Sequence, residues 1–192
     1  MHDPPVREQM FAIDQQTVVV RDFECQGYIL DIGGGGEGII GVLKGEKVIA
    51  VDKRKDELEE APEGPLKIVM DVTDLQFLDN TFEMVTSFFT LMYITKKDHK
   101  KVFEEVWRVL RPQGSFLIWD VVIPYQGDRS EELFVVPLTA VVHDKEIQTG
   151  YGVAWKDREQ DVTYYERLAN DIGFKVVEKL VNDQNFYLHL KK

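Results

Sequence analysis

The feature that most constrains the fold is a series of short, almost wholly apolar runs, separated by turns, helical stretches or polar segments. Five such runs cover residues 28–32, 48–51, 66–70, 84–89 and 115–119. Strands of a parallel sheet are buried on both faces, so they contain continuous apolar runs, and each needs a crossover before the next strand. The series therefore predicts an α/β fold with a doubly wound, mainly parallel sheet.

Helical periodicity appears in two long stretches. Residues 96–110 and 161–172 carry apolar side chains at helical spacing, the first ended by Pro112 and the second by Gly173. A short leading helix is predicted over residues 3–14. The crossovers after the first two apolar runs are short for full helices.

Two hairpins are predicted towards the end of the chain. Residues 174–180 and 185–190 are strand-like, and the four residues between them are too few for a parallel crossover. These two strands should therefore pair antiparallel at the edge of the sheet, giving it seven strands. An insertion at about residues 126–158, after the fifth strand, carries two β-rich arms at 133–142 and 147–155 that should form a second hairpin.

Composition limits the partners and the compartment. The chain has 192 residues and a formal net charge of −11, which disfavours a nucleic-acid partner because phosphate backbones are repelled. Cys25 is the only cysteine, and the four histidines are scattered, so neither a disulfide framework nor a metal site is predicted. No apolar segment has the length of a signal peptide or a membrane span. We expect a single domain over residues 1–192, in the cytoplasm and without a membrane partner.

A glycine loop and an acid mark a candidate nucleotide site. Residues 33–38 read Gly-Gly-Gly-Gly-Glu-Gly directly after the first apolar run, where glycine allows a sharp turn and a close ligand. Asp52 ends the next run, roughly 20 residues after Asp31, a spacing at which a carboxylate can accept hydrogen bonds from ribose hydroxyls. These features fit both dinucleotide cofactors and S-adenosyl cofactors.

Further motifs resemble the class I, Rossmann-like S-adenosylmethionine-dependent methyltransferases. Four segments carry the resemblance. They are the first motif at residues 30–35, the position after the third strand at 71–72, the run into the fourth strand at 75–82, and the turn into the fifth strand at 109–118. It covers residues 27–120 well and 161–192 in architecture, but not the insertion. In one departure, the family usually has its third loop glycine where this chain has Glu37.

The resemblance implies S-adenosylmethionine as the cofactor. Asp31 and the glycine loop would hold its methionine part, Asp52 its ribose, and Asp71 with Val72 its adenine. Carboxylates suit an ammonium and a sulfonium better than a pyrophosphate. The residues that we expect to bind the cofactor are Asp31, Gly33, Gly34, Gly35, Asp52, Lys53, Asp71, Val72 and Phe88.

The expected function is methyl transfer to an unidentified, small-molecule acceptor. Residues 87–93 lack the Asn/Asp-Pro-Pro-aromatic tetrapeptide of methyltransferases that act on exocyclic base amines. Tyr93 is the candidate catalytic residue, as a hydrogen-bond donor or weak base to the acceptor, and alternatively it packs over the cofactor.

Two other functions remain open from the sequence. An NAD(P)-dependent oxidoreductase shares the glycine loop and Asp52, and a non-catalytic S-adenosylmethionine-binding or interaction protein shares the whole cofactor set. The insertion at 126–158 is expected to act as a lid over the acceptor, an added sheet edge, or a homo-oligomer interface.

Overall fold

The computed structural model describes residues 9–192, which form eleven strands and four α-helices. The strands are β1 (Met10–Ala12), β2 (Gln16–Val20), β3 (Ile29–Ile32), β4 (Val48–Asp52), β5 (Leu66–Val69), β6 (Phe82–Phe88), β7 (Leu110–Val121), β8 (Leu133–Val142), β9 (Lys145–Ala154), β10 (Lys175–Asn182) and β11 (Asn185–Lys191). The helices are α1 (Ile39–Lys44), α2 (Lys55–Glu60), α3 (Lys96–Val109) and α4 (Val162–Ile172).

The main sheet confirms the predicted topology. Its seven strands lie in the order β10–β11–β7–β6–β3–β4–β5. Strands β3 to β7 run parallel, while β11 is antiparallel to both β7 and β10. The central strand β3 is buried at all four positions because it has a strand on either side and a layer on either face.

Helices α3 and α4 cover one face of the main sheet, as the periodicity predicts. Phe103 of α3 stacks on Tyr165 of α4, with ring centroids 5.8 Å apart and an interplanar angle of 6°. Gly173 caps α4 with φ 118°, and its N–H donates to the Ala169 and Asn170 carbonyls. The two early crossovers contain only the six-residue helices α1 and α2, in agreement with their short sequences.

The predicted leading helix is wrong over the part that the structure describes, and residues 3–8 lie outside the described residues. Residues 10–12 form β1, which pairs in parallel with residues 133–135 of β8. The Phe11 ring packs against Trp155 with centroids 4.8 Å apart. Pairing with a distant strand and the packing of a half-buried aromatic side chain therefore override the local helical preference.

The other face of the main sheet is covered by α1 and by a second, four-stranded sheet. The insertion forms the predicted hairpin, with β8 and β9 antiparallel over their full lengths. The opposite edge of β8 pairs in parallel with β1 and then β2, which the sequence did not predict. Alternate residues of β8 are fully buried in the core shared with the main sheet: Phe134, Val136, Leu138, Ala140 and Val142.

This second sheet is therefore one of the layers that enclose the hydrophobic core.

No helix within residues 9–192 is long and apolar enough to cross a membrane.

Truncating the core of the second sheet should destabilise the whole protein. We expect Phe134→Ala to lower the free energy of unfolding by about 3–5 kcal/mol, because Phe134 is fully buried and a cavity would remain. Val19→Ala is the control, since Val19 lies in the same sheet but is 60% exposed, and it should cost less than about 1 kcal/mol. Urea denaturation measures both. Equal, small effects would mean that the second sheet is peripheral to the core.

Candidate functional site

A cavity of about 780 Å³ opens where β3, β4, β5 and β6 end. Its volume lies in the range of about 300–1,000 Å³ that is usual for small-molecule sites. The structure brings every candidate site residue from the sequence to its wall: Asp31, Gly33, Gly34, Gly35, Asp52, Lys53, Asp71, Val72, Phe88 and Tyr93. Their contact with a ligand stays a prediction.

Asp31 is the most deeply buried acid of the cavity wall. Burial raises the pKa of its carboxyl to about 7, opposed by the Thr86 hydroxyl, which donates to Asp31 Oδ1 at 2.7 Å, and increased by the negative charge of Asp52. A cation that enters the cavity beside this carboxyl would favour its ionised form.

The glycine loop fits closely around Asp31 and then turns into α1. A Cβ at Gly34 would lie 2.7 Å from Asp31 Oδ2 and 2.8 Å from the Cβ of Ala50, so the close approach excludes a side chain. Gly38 has φ 51° immediately before α1, a conformation that glycine adopts without steric cost. The loop therefore offers bare backbone to the cavity between Asp31 and α1.

Two further acids are held in fixed orientations at the ends of β4 and β5. Asp52 Oδ1 accepts from the Arg54 amide at 2.9 Å. Asp71 accepts from the amide of Thr73 at 2.8 Å and from its hydroxyl at 2.7 Å. These hydrogen bonds hold the pKa of Asp71 below its usual value, so this carboxylate is charged at neutral pH.

Glu37, the departure from the family's glycine pattern, connects the loop to the inserted hairpin. Its carboxylate accepts from the Thr149 hydroxyl and, at 3.2 Å, from the Tyr151 hydroxyl, both on β9. A carboxylate between two hydroxyl donors forms charge-assisted hydrogen bonds. The glycine loop and β9 are thus joined directly, a link that the sequence did not predict.

An aromatic wall closes the end of the cavity nearest β9. Phe89 and Tyr151 are stacked with centroids 5.4 Å apart, and Tyr93 meets Tyr151 edge-on at 6.4 Å. Burial raises the pKa of Tyr93 to about 12 and raises that of Tyr151 further, with the charge of Glu37 adding to the second shift. Both hydroxyls are therefore protonated at neutral pH.

Sequence reasoning missed most of this aromatic wall. It placed Tyr151 only within the second β-rich arm of the insertion, residues 147–155, and it did not single out Phe89 or Arg158, which also line the cavity. No local motif marks these three residues, and for Tyr151 it is the pairing of β9 with β8 that places it beside the glycine loop.

A buried hydrogen-bond network supports the short turn at residues 91–93 that carries Tyr93. Asp120, at the end of β7, accepts from the amide of Val121 and from the side chain of Gln160, both at 2.8 Å, and from the amide of Met92 at 3.3 Å. Burial raises the pKa of Asp120 to about 7. The Tyr165 hydroxyl donates to Gln160 Oε1 at 2.6 Å, so β7, α4 and the turn are held together.

Metal ligands are not grouped in the part of the chain that the structure describes. Residues 9–192 contain no set of three or more His, Cys, Asp or Glu side chains arranged to hold a metal ion.

A family comparison covers the strands and loops that build the cavity. Residues 30–118 match the family model described as a methyltransferase domain. A curated relative, sterol 4-C-methyltransferase strm-1 from Caenorhabditis elegans, is 28% identical over 106 residues. The match covers 55% of this chain but only 31% of that protein, so the chain spans about a third of the relative's length.

Solved structures with the same fold include several described as S-adenosylmethionine-dependent methyltransferases. The PH0226 protein from Pyrococcus horikoshii is 23% identical with a TM-score of 0.62, covering 87% of this chain and 82% of that one. An S-adenosylmethionine-dependent methyltransferase from Methanosarcina mazei is 17% identical with a TM-score of 0.64, covering 88% and 94%. At these identities the similarity concerns the fold.

Proposed function

The chain belongs to the class I S-adenosylmethionine-dependent methyltransferase family, and on that premise we propose that it transfers a methyl group from this cofactor to a small-molecule acceptor. The observation that carries the proposal is one cavity with two unlike ends. Acids and a glycine loop line one end, and an aromatic wall lines the other.

The acidic end suits the charges and hydrogen-bonding groups of S-adenosylmethionine. Asp31 would pair with the methionyl ammonium, beside the bare backbone of Gly33, Gly34 and Gly35. Asp52, whose second oxygen is not used by Arg54, would accept from the ribose hydroxyls. Asp71 and Val72 would border the adenine, and Lys53 and Phe88 complete the wall.

The protein's part in the reaction is alignment and exclusion of water. The sulfonium of the cofactor supplies an electrophilic methyl group and a good leaving group. Phe89, Tyr93 and Tyr151 would hold the acceptor against that methyl group in a dry, oriented pocket. The raised pKa of Tyr93 favours it as a hydrogen-bond donor to the acceptor and not as a base.

Charge and space argue against the alternative functions. A dinucleotide would place its pyrophosphate at the glycine-loop end, among Asp31, Asp52 and Glu57. The cations of the cavity wall are Lys53, Arg54, which is ion-paired with Glu57, and Arg158, which lies at the aromatic end. A protein that only binds the cofactor needs no further space, whereas this cavity extends from the glycine loop to Tyr93 and Arg158. The second end therefore favours an acceptor and turnover.

The proposal extends to the class of acceptor, the cell compartment and the association of the chain. The cavity's aromatic end has the size for a small-molecule acceptor, and the net charge of −11 opposes a nucleic-acid substrate. We also propose a single domain acting in the cytoplasm. β9 has a free edge among residues 9–192, so association of two copies through the hairpin stays a prediction.

Methyl transfer is tested with S-adenosylmethionine labelled on its methyl group and a panel of phenols, aromatic carboxylates and sterols. We expect labelled product and S-adenosylhomocysteine with at least one acceptor. Asp52→Ala should lower kcat/KM about ten- to hundred-fold, because hydrogen bonds to a charged group contribute about 1.5–3 kcal/mol. Asp144→Ala, at an exposed hairpin turn, is the matched control. Equal rates for the two variants would contradict the assigned cofactor site.

The affinity for S-adenosylmethionine should increase with pH between about pH 5.5 and about pH 7. The free protein holds the Asp31 proton up to its pKa of about 7, whereas the bound ammonium favours the ionised carboxylate, so binding releases a proton. The slope should approach tenfold per pH unit at the acidic end. Titration calorimetry across this window measures it, below the pKa of about 7.7 for an α-amino group.

Two variants separate this effect from general acid sensitivity. Asp31→Asn should bind weakly and without the pH slope, while Asp120→Asn should keep the slope, because Asp120 has the same pKa of about 7 but does not line the cavity. Folding of the free protein should show the opposite pH dependence. The contribution of Asp31 to the free energy of unfolding falls as pH rises from about 4 to about 7, because the unfolded chain releases the Asp31 proton at a lower pH than the folded protein does. A flat affinity profile in the unmodified protein would contradict the role of Asp31.

A further inference from the structure

We propose that the acceptor, given the methyl transfer proposed above, is an aromatic compound with an anionic group such as a carboxylate, and that Arg158 binds that group. Nothing in the family match extends to Arg158, since the matched residues end at 118. The proposal rests on unused hydrogen-bond donors at the aromatic end of the cavity.

Arg158 is a cation on the cavity wall whose side chain has few partners in the described part of the chain. Within residues 9–192 its guanidinium makes one long hydrogen bond, from Nη1 to the Met92 carbonyl at 3.4 Å, and forms no ion pair. A guanidinium has five N–H donors in a planar fork that matches a carboxylate or phosphate. Most of these donors are therefore available to a ligand.

The backbone that carries Arg158 is firmly held. Trp155 is buried, and its indole N–H donates to the Pro124 carbonyl at 2.7 Å. The Arg158 amide donates to the Trp155 carbonyl at 3.1 Å, and two residues later Gln160 exchanges two 2.9 Å backbone hydrogen bonds with Ile123. Because both flanks are anchored, the main chain at Arg158 needs no reordering when the side chain binds an anion, which lowers the entropic cost.

The neighbouring acids are already occupied as hydrogen-bond acceptors. Glu37 accepts from Thr149 and Tyr151, and Asp98 accepts from the Thr95 hydroxyl at 2.5 Å. The Tyr93 oxygen accepts from the backbone of Gly152, and its hydroxyl proton remains available for donation. This end of the cavity thus has donors without an acceptor, so it favours a ligand that supplies lone pairs, and the positive charge of Arg158 favours an anionic one.

The walls on either side of these donors are aromatic. Phe89, itself fully buried, stacks behind Tyr151 at 5.4 Å, and Tyr93 stands at 87° to Tyr151 on the cavity wall. Such a surface packs well against a planar ring. An anionic acceptor would also be attracted to the positive charge that the sulfonium of a bound cofactor would supply.

The probes are para-hydroxybenzoate and its neutral amide, titrated calorimetrically into protein saturated with S-adenosylhomocysteine. We expect the carboxylate to bind about ten- to hundred-fold more tightly than the amide, since charge-assisted hydrogen bonds are lost with the amide. Arg158→Gln should remove that difference, and Arg158→Lys should restore part of it, because an ammonium keeps the charge but not the fork. Arg21→Gln, at an exposed site, is the control.

The outcomes separate this proposal from the cofactor assignment. Arg158→Gln should leave the affinity for S-adenosylhomocysteine unchanged. Failure of S-adenosylhomocysteine to bind would overturn the proposed function. Normal S-adenosylhomocysteine binding with equal affinity for carboxylate and amide, or an unchanged preference in Arg158→Gln, would overturn the role of Arg158 alone. Binding of a neutral sterol with equal affinity to the unmodified protein and to Arg158→Gln would also overturn the role of Arg158.

Discussion

A carboxyl group buried at the end of the central strand is the constraint on which the rest of the site depends. Asp31 is reached by one side-chain hydroxyl, that of Thr86, and its burial makes the ionised form costly in the free protein. Glycine is required beside it, because a Cβ at Gly34 would fall within 2.7 Å of its oxygen. A cationic ligand is the partner that would relieve this cost, which links the fold of the loop to the chemistry of the cofactor.

The second sheet determines the other half of the cavity. Its strand β8 is buried against the main sheet, and this packing fixes the position of β9 next to the glycine loop. Glu37 then joins the two through Thr149 and Tyr151. The inserted hairpin is consequently both a layer of the core and part of the wall at the aromatic end of the cavity.

Sequence patterns were sufficient wherever the information was local. The continuous apolar run before Gly33 and the periodicity of residues 96–110 and 161–172 correctly predicted the main sheet and both long helices. Parallel pairing then brought Asp31, Asp52 and Asp71 to one edge of the sheet. The pairing of β1 and β2 with β8 was not predictable in this way, because it joins segments more than a hundred residues apart and overrode a helical pattern at residues 10–12. Tyr151 lies on β9 of the predicted hairpin, but the packing of that hairpin against the main sheet has no local signature, so its place beside the glycine loop was missed.

The cofactor preference is the central claim, and titration calorimetry of the unmodified protein against S-adenosylmethionine, S-adenosylhomocysteine and NADH tests it most directly. The acidic cavity predicts saturable binding of both S-adenosyl compounds and no binding of NADH, whose pyrophosphate would face Asp31, Asp52 and Glu57. Binding of NADH without binding of either S-adenosyl compound would contradict the account.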